Sequence, residues 1–209
     1  MEFEYLISNE LIDYQQALTI MNIRREKLYN GNEKSLFWLL EHTDIYTAGR
    51  SAKNHDLLDK NAKVIEVDRG GKYTYHGPGQ CIGYIVTDLK KFNNGVLDVR
   101  KFINNIEQII IETLLEFNIE SFADRENVGI WVQQGDKKFK IAAIGIKISK
   151  MITTHGFAIN VNTDLSKFRS IIPCGITNHG VCSMNLLGVN TSVKNVQSVV
   201  IKKFAKIMR

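Results

Sequence analysis

The sequence contains little proline and little cysteine. Two prolines and three cysteines occur in 209 residues, and no Cys-x-x-Cys pair is present. The thiols of Cys81, Cys174 and Cys182 are too few and too irregularly spaced for a disulfide framework or a structural zinc site. We therefore expect a reduced, cytoplasmic setting.

Long apolar runs and a basic leader are also missing. No run approaches the ~20 apolar residues needed to span a bilayer, and the start Met1-Glu2-Phe3-Glu4 lacks the basic residues of a signal peptide. No membrane association is expected. The net charge of +5 comes from scattered lysines rather than a stripe, so no nucleic-acid partner is expected. This charge has two explanations: the protein binds an acidic partner, or its source has a basic proteome rich in Lys, Ile and Asn.

The remaining composition is that of an ordinary globular protein, with 44% hydrophobic and 23% charged residues. No internal repeat, low-complexity tract or Pro/Ser-rich linker divides the chain. The length and this uniformity predict one domain covering residues 1–209, with two small domains as the alternative.

Hydrophobic periodicity predicts three helices and several strands. The helices are expected over residues 10–28, where Gly31 marks the stop, after an N-cap at Asp98, and after a cap at Ser192. Strands are expected at residues 2–7, 35–40, 63–67, 80–86 and 155–161, with a hairpin from 128–132 and 139–148 turned at 134–136. This pattern favours an α/β (α+β) protein with a mixed β-sheet flanked by helices.

One stretch, residues 69–80, has an unusual composition. Its sequence, Arg-Gly-Gly-Lys-Tyr-Thr-Tyr-His-Gly-Pro-Gly-Gln, holds four glycines and a proline, which suit neither a helix nor a regular core strand. We expect a sharply bent backbone that joins two strands of one sheet and comes close to a ligand. The spacing matches neither a phosphate-binding nor a dinucleotide-binding glycine motif.

Two side chains further along suggest chemistry. Lys140 interrupts an apolar strand, so it is either snorkelling at an edge or held in a pocket, where desolvation would lower its pKa. Cys174 lies between Pro173 and Gly175 and therefore belongs to a turn or strand end. Its thiol is either structural or, beside a cation, a nucleophile. Cys81 and Cys182 are expected to be small core residues.

The strand beginning at His155 alternates in size. Residues 156, 158, 160 and 162 are small or polar and share one face, while His155 shares the other face with Phe157, Ile159 and Val161. Such a face leaves room for a ligand, although an edge strand would also explain it. His76 and His155 have no companions at metal-ligand spacing and are expected to be satisfied loop residues or site-lining groups.

Taken together, residues 69–80, 140–145, 155–162 and 173–175 resemble the signature of the lipoyl(octanoyl) transferases. The likeness runs from about Tyr14 to Cys182 and includes Glu41-His42 and Tyr84. It implies the fold of the biotin/lipoate protein ligase superfamily. It also implies transfer of an octanoyl group from octanoyl-acyl carrier protein to a lysine of a lipoyl domain, in a 2-oxo-acid dehydrogenase complex or the glycine-cleavage H protein.

The resemblance also implies roles for individual residues. Cys174 would carry the acyl group as a thioester, and Lys140 would be its acid/base partner. The acyl pocket would be lined by three groups of residues: Arg69, Gly70, Gly71, Lys72, Tyr73, Thr74, Tyr75 and His76; Ala143, Ile144 and Gly145; and Gly156, Phe157 and Ala158. Cys81 stands where the family usually has an aliphatic residue and would bring a second thiol near the pocket.

Under this interpretation the enzyme works as a monomer, with no cofactor and no metal. Two alternatives remain open at the level of sequence. An ATP-dependent lipoate or biotin ligase would share the fold but would not need a cysteine nucleophile. A non-catalytic module that binds carrier protein would not need both Lys140 and Cys174.

Overall fold

A computed structural model of the chain describes residues 2–172 and 180–208. Within these residues the chain forms three helices, α1 (Tyr14–Tyr29), α2 (Val99–Leu115) and α3 (Val193–Ile207). The strands are β1 (Phe3–Ile12), β2 (Ser35–His42), β3 (Ile45–Ala48), β4 (Val64–Glu66), β5 (Tyr73–His76), β6 (Gln80–Val86), β7 (Phe122–Ala123), β8 (Ile130–Gln134), β9 (Lys137–Ser149), β10 (Ile152–Asn160) and β11 (Gly180–Val181).

The larger of two sheets has the order β1-β2-β6-β10-β9-β8-β7, and β11 also pairs with β9. The β1–β2 and β11–β9 pairs are parallel. The other pairs in this sheet are antiparallel. The predicted mixed sheet is confirmed.

Helices cover both faces of this sheet, which explains why its central strands are apolar throughout. In β2, Leu36, Trp38 and Leu40 belong to a cluster that includes Ala17 and Met21 of α1. The alternate residues Phe37 and Leu39 belong to the cluster formed with α2 and α3. Because successive strand residues point to opposite faces, β2 is buried on both sides.

The predicted helix caps are confirmed. The Asp98 carboxylate accepts from the Lys101 N–H at 2.8 Å, and the Ser192 hydroxyl accepts from the Asn195 N–H at 3.2 Å. The first helix, however, begins at Tyr14 rather than near residue 10, capped by Asp13. The expectation was wrong for residues 10–12 because they continue β1, in which Leu11 and Ile12 pair with β2.

The smaller sheet has the order β4-β3-β5 and corrects the expectation for residues 69–80. This stretch contains a regular strand, β5, whose residues Tyr73–His76 pair with Ile45–Ala48. The strands before and after the stretch also lie in different sheets, β4 in the smaller and β6 in the larger. The glycines bend the backbone at both ends of β5, with φ of 84° at both Gly71 and Gly79.

The hairpin predicted around residues 134–136 is confirmed as β8 and β9, in which Gln134 pairs with Lys137. Gly135 takes the left-handed conformation that such a two-residue turn requires (φ 56°). Among the residues that the structure describes, no helix is long and apolar enough to cross a membrane.

Candidate active site

A cavity lies where residues 69–72 and β5 meet β9 and β10, and we call it the central cavity. It encloses about 530 Å³, its open mouth included. Its lining comprises residues 69–74, 143–145 and 156–158 together with Tyr14, His76, Tyr84, Val128 and His155. The structure thus brings together three segments that are far apart in sequence.

Tyr75 is the one residue of the expected pocket set that is not in this lining. Its hydroxyl donates to the Asp44 carboxylate, and its ring packs edge-on against Phe168, with 5.6 Å between centroids. Burial, followed by the bond to Asp44, raises the pKa of the Tyr75 hydroxyl. Tyr75 therefore stabilises the smaller sheet from outside the central cavity.

Arg69 fixes the glycine-rich wall of the cavity. Its Nη2 donates to the Oγ1 and carbonyl oxygen of Thr47 at 2.6 and 3.1 Å, and its Nη1 donates to the Gly70 carbonyl at 2.9 Å. The Gly70 N–H in turn donates to the Ile146 carbonyl at 3.2 Å. This wall is therefore hydrogen-bonded to both sheets.

Close backbone approach explains the glycines on the opposite wall. Gly156 pairs with both Gly145 and Tyr84. A Cβ at residue 156 would lie 1.9 Å from the Gly83 carbonyl oxygen. Glycine at this position lets β10 approach β6 while leaving the space in front of it open.

Lys140 is buried, with 5% of its surface exposed. Its Nζ donates to the Val128 carbonyl at 2.9 Å and lies 4.7 Å from the ring centroid of Trp131. The snorkelling alternative is thereby excluded. Gly129 makes room for the lysine stem, because a Cβ there would lie 3.1 Å from Lys140 Cε.

Lys140 also lines a small pocket that adjoins the central cavity. This lysine pocket shares Tyr73, Thr74, Ala143 and Ala158 with the central cavity and adds Gln80, Lys140, Asn160, Phe168 and Val181. The described chain stops at Ile172 and resumes at Gly180, and Val181 pairs with Lys140 in β11 and β9. Cys174, with its neighbours Pro173 and Gly175, lies outside the described residues.

Polar side chains hold the strands around the lysine pocket. The Gln80 amide nitrogen donates to Asn160 Oδ1 at 2.9 Å, so its oxygen accepts from His76 Nδ1 at 3.1 Å. The Asn160 amide donates to the Cys182 carbonyl at 3.0 Å. Burial holds the pKa of His76 well below its usual range, so this ring is a neutral donor.

A second buried pair lies behind the central cavity. His42 Nδ1 donates to the Ile12 carbonyl at 2.7 Å, which leaves Nε2 to accept from the Tyr84 hydroxyl at 2.7 Å. Burial lowers the pKa of His42 to about 4 and raises that of Tyr84. Both side chains are uncharged near neutral pH.

His155 departs from the alternation expected for β10. Phe157, Ile159 and Val161 pack in the cluster with α2 and α3, as the pattern predicts. His155 instead has φ of 63°, and its backbone N–H lies 3.3 Å from the Met21 sulfur of α1. Expecting His155 on the same face as Phe157 was wrong, because the left-handed backbone breaks the strand alternation there.

Two residues that line the cavity have no functional role predicted from the sequence. The sequence pattern places Tyr14 in a helical stripe and Val128 in the hairpin and indicates nothing more about them. Both residues line the cavity. Their positions depend on packing between distant segments. No local signal identifies them.

Two cysteines within the described residues are unsuited to nucleophilic chemistry. Cys81 packs in the cluster with α2 and α3, and burial raises the pKa of its thiol. Burial raises the pKa of Cys182 to about 12. Both were expected to be core residues, and this is confirmed. The suggestion that Cys81 brings a second thiol to the pocket was wrong, because this side chain lies in the core.

Solved structures share this fold. A bipartite lipoate protein ligase of Thermoplasma acidophilum aligns with a TM-score of 0.71 over 99% of this chain and 84% of its own, at 16% identity. A biotin protein ligase of Aquifex aeolicus aligns with a TM-score of 0.52 over 99% of this chain and 70% of its own, at 15% identity. The fold is therefore that of the lipoate and biotin protein ligases, as the resemblance implied.

Sequence similarity defines the family more narrowly. The model of the lipoyl protein ligase A/B catalytic domain matches residues 13–205. The octanoyltransferase of Anaplasma phagocytophilum is 43% identical over 208 residues, covering 99% of both chains. That of Ehrlichia chaffeensis is 44% identical over 205 residues, covering 98% of this chain and 95% of its own. The chain belongs to the lipoyl protein ligase A/B family, within its octanoyltransferases, and is an acyltransferase.

Proposed function

We propose that this protein transfers an octanoyl group from octanoyl-acyl carrier protein to a specific lysine of lipoyl domains, through a thioester on Cys174. The observation that carries the proposal is that the central cavity adjoins, and shares four lining residues with, the pocket lined by Lys140. This arrangement offers a site for an acyl chain with a fixed proton donor at one end.

The walls of the central cavity suit a saturated chain. Ala143, Ile144, Phe157 and Ala158 contribute apolar surface next to the glycines. Each methylene moved from water into such surroundings contributes about 0.8 kcal/mol. Six methylenes, the number in an octanoyl chain, would therefore contribute roughly 5 kcal/mol to binding.

Lys140 would act first as an acid and then as a base. The Cys174 thiolate attacks the thioester carbonyl of the donor, and the Lys140 ammonium protonates the departing pantetheine thiolate. The neutral lysine then accepts a proton from the acceptor amine as that amine attacks the Cys174 thioester. The cysteine leaves as a thiolate, and the starting ammonium–thiolate pair is restored without ATP.

The proposal extends to partners, organisation and location. A net charge of +5 favours encounter with acidic carrier proteins. The acceptors would be lipoyl domains of 2-oxo-acid dehydrogenase complexes and the glycine-cleavage H protein. We propose a monomer with one catalytic domain. A cytoplasmic location agrees with the unpaired thiols of Cys81 and Cys182.

Intact-protein mass spectrometry after mixing with octanoyl-acyl carrier protein tests the thioester. We expect an adduct of octanoyl mass on the wild type that hydroxylamine removes, and none on Cys174→Ser. Cys81→Ala is the matched control, because it removes a buried thiol while leaving Cys174 in place. Absence of the adduct from the wild type, or its survival in Cys174→Ser, would reject the proposal.

An ATP requirement separates the transferase from a ligase of the same fold. Transfer from octanoyl-acyl carrier protein to a purified lipoyl domain should proceed in ATP-free buffer. If free octanoate and ATP were both required, the ligase alternative would replace the proposal. A protein that binds carrier protein without forming any adduct would be the non-catalytic module.

A further inference from the structure

His155 separates the central cavity from a second, charged cleft. The charged cleft is lined by α1, the segment before Arg69 and the end of β9, and its charged residues include Arg25, Asp68 and Lys147. Among the described residues, His155 is the one that lines both spaces. Its ring therefore stands in the wall between them.

The surroundings of this ring fix its position. His155 is 3% exposed, and its ring meets that of Tyr84 edge-on with 6.0 Å between centroids. Burial lowers the pKa of His155 to about 3, so the ring is neutral near pH 7. Within the described part of the chain, its Nδ1 has no hydrogen-bond partner.

The strand register sets the distance from the lysine pocket to this wall. Ala143 pairs with Ala158 beside the lysine pocket, and Ile146 pairs with His155 at the far end. Three residues of strand separate the two pairs along β9, or about 10 Å. That distance is comparable with the length of an extended octanoyl chain.

We propose that the His155 ring is the end wall that limits the length of the acyl chain, an inference that rests on the proposed function. A chain longer than octanoyl would have to displace the ring and enter the charged cleft. There its last methylenes would meet polar side chains and water. The energy gained by burying each methylene would be lost beyond this point.

The backbone at His155 allows a clean test. Glycine adopts the observed φ of 63° without strain, so His155→Gly removes the ring without opposing the local conformation. His155→Asn is a second variant, because asparagine also tolerates this conformation while keeping a shorter polar side chain. A folding defect in one variant therefore leaves the other available.

Calorimetry measures the binding of free octanoic and dodecanoic acids. A second assay measures transfer of the two acyl groups from the matching acyl-carrier proteins. For His155→Gly we expect the preference for dodecanoyl over octanoyl to rise roughly tenfold for each pair of methylenes that fits in the space left by the ring. His155→Asn should give a smaller rise. Leu18→Ala is the control, because it widens the charged cleft without touching the wall and should leave the preference unchanged.

The outcomes separate the two proposals. If the wild type transfers octanoate and both His155 variants keep its length preference, the end wall is rejected, and the chain end would point to the apolar groove lined by Ile103 and Ile146. If the wild type binds octanoic acid without transferring it, the proposed function fails, while the binding ratios still test the wall. If it binds neither acid and transfers no octanoate, both are rejected.

Discussion

Replacing Lys140 by methionine separates catalysis from stability. Methionine keeps the unbranched stem but has no proton to give. The Val128 carbonyl loses its donor, which costs about 1–3 kcal/mol, and the contact with Trp131 loses about 0.5–2 kcal/mol. Against this, an ammonium no longer has to be buried, which removes a penalty of several kcal/mol. We expect the free energy of unfolding to stay within ~2 kcal/mol of wild type.

The rate of acylation, unlike the stability, should fall strongly in Lys140→Met. A positioned acid/base group contributes about 10²–10⁴-fold in rate, or roughly 3–5 kcal/mol of activation free energy. Rapid-quench mass spectrometry of the octanoyl adduct would measure this rate, and urea denaturation would measure stability. Near-normal acylation by a folded Lys140→Met protein would refute the acid/base role.

Lys138 supplies a matched control for this experiment. It lies two residues earlier in β9, pairs with Asp124, and stands 5.5 Å from the ring centroid of the same Trp131. Lys138→Met thus removes a cation from the same ring without entering the lysine pocket. It should leave the acylation rate within about twofold of wild type, since Lys138 lines neither the lysine pocket nor the central cavity.

Three other perturbations have expected outcomes. Gly145→Ala places a methyl group against the cavity wall. It should raise the KM for the octanoyl donor several-fold, with little change in melting temperature. An unchanged KM in steady-state kinetics would show that the reasoning is wrong. Gly156→Ala places a Cβ 1.9 Å from the Gly83 backbone and should destabilise the fold by about 3 kcal/mol, so an unaltered urea midpoint would contradict it. Burial lowers the pKa values of His42 and His155 to about 4 and about 3, so the unfolded chain binds more protons than the folded chain below pH 6.5. The free energy of unfolding should therefore fall as the pH drops from about 6.5 to 4, by roughly 3 kcal/mol for His42 alone. Equal stability at pH 7 and pH 5 would disprove this.

Features that depend on nearby residues were predictable. The cap at Asp98 and the turn at Gly135 are specified by residues next to them in sequence, and both are confirmed. The start of α1 was not predictable, because Leu11 and Ile12 pair with Glu41 and His42 in the sheet. Pairing partners about 30 residues away leave no local signal.

The candidate active site shows the same difference between local features, which were predictable, and long-range features, which were not. The segments that line the cavity could be named from their similarity to a known signature, but their geometry could not. Lys140 was ambiguous in sequence because its environment is made by Trp131 on the neighbouring strand β8 and by Val128, which precedes that strand. The role suggested for His155 depends on a positive φ in β10, a conformation that its flanking residues do not indicate.

The hairpin of β8 and β9 has one further consequence, for how insertions would be tolerated. Lys140 stands three residues beyond the turn pair Gln134–Lys137. Side chains alternate along a strand, so a slip of β9 by one residue would present Phe139 or Ile141 to the pocket instead. The two-residue turn at Gly135 and Asp136 keeps β8 and β9 in this register. One residue inserted there would turn Lys140 to the wrong face only if β9 also shifted against β10, with which it forms eight residue pairs. We therefore expect the insertion to lengthen the turn and to leave Lys140 in place.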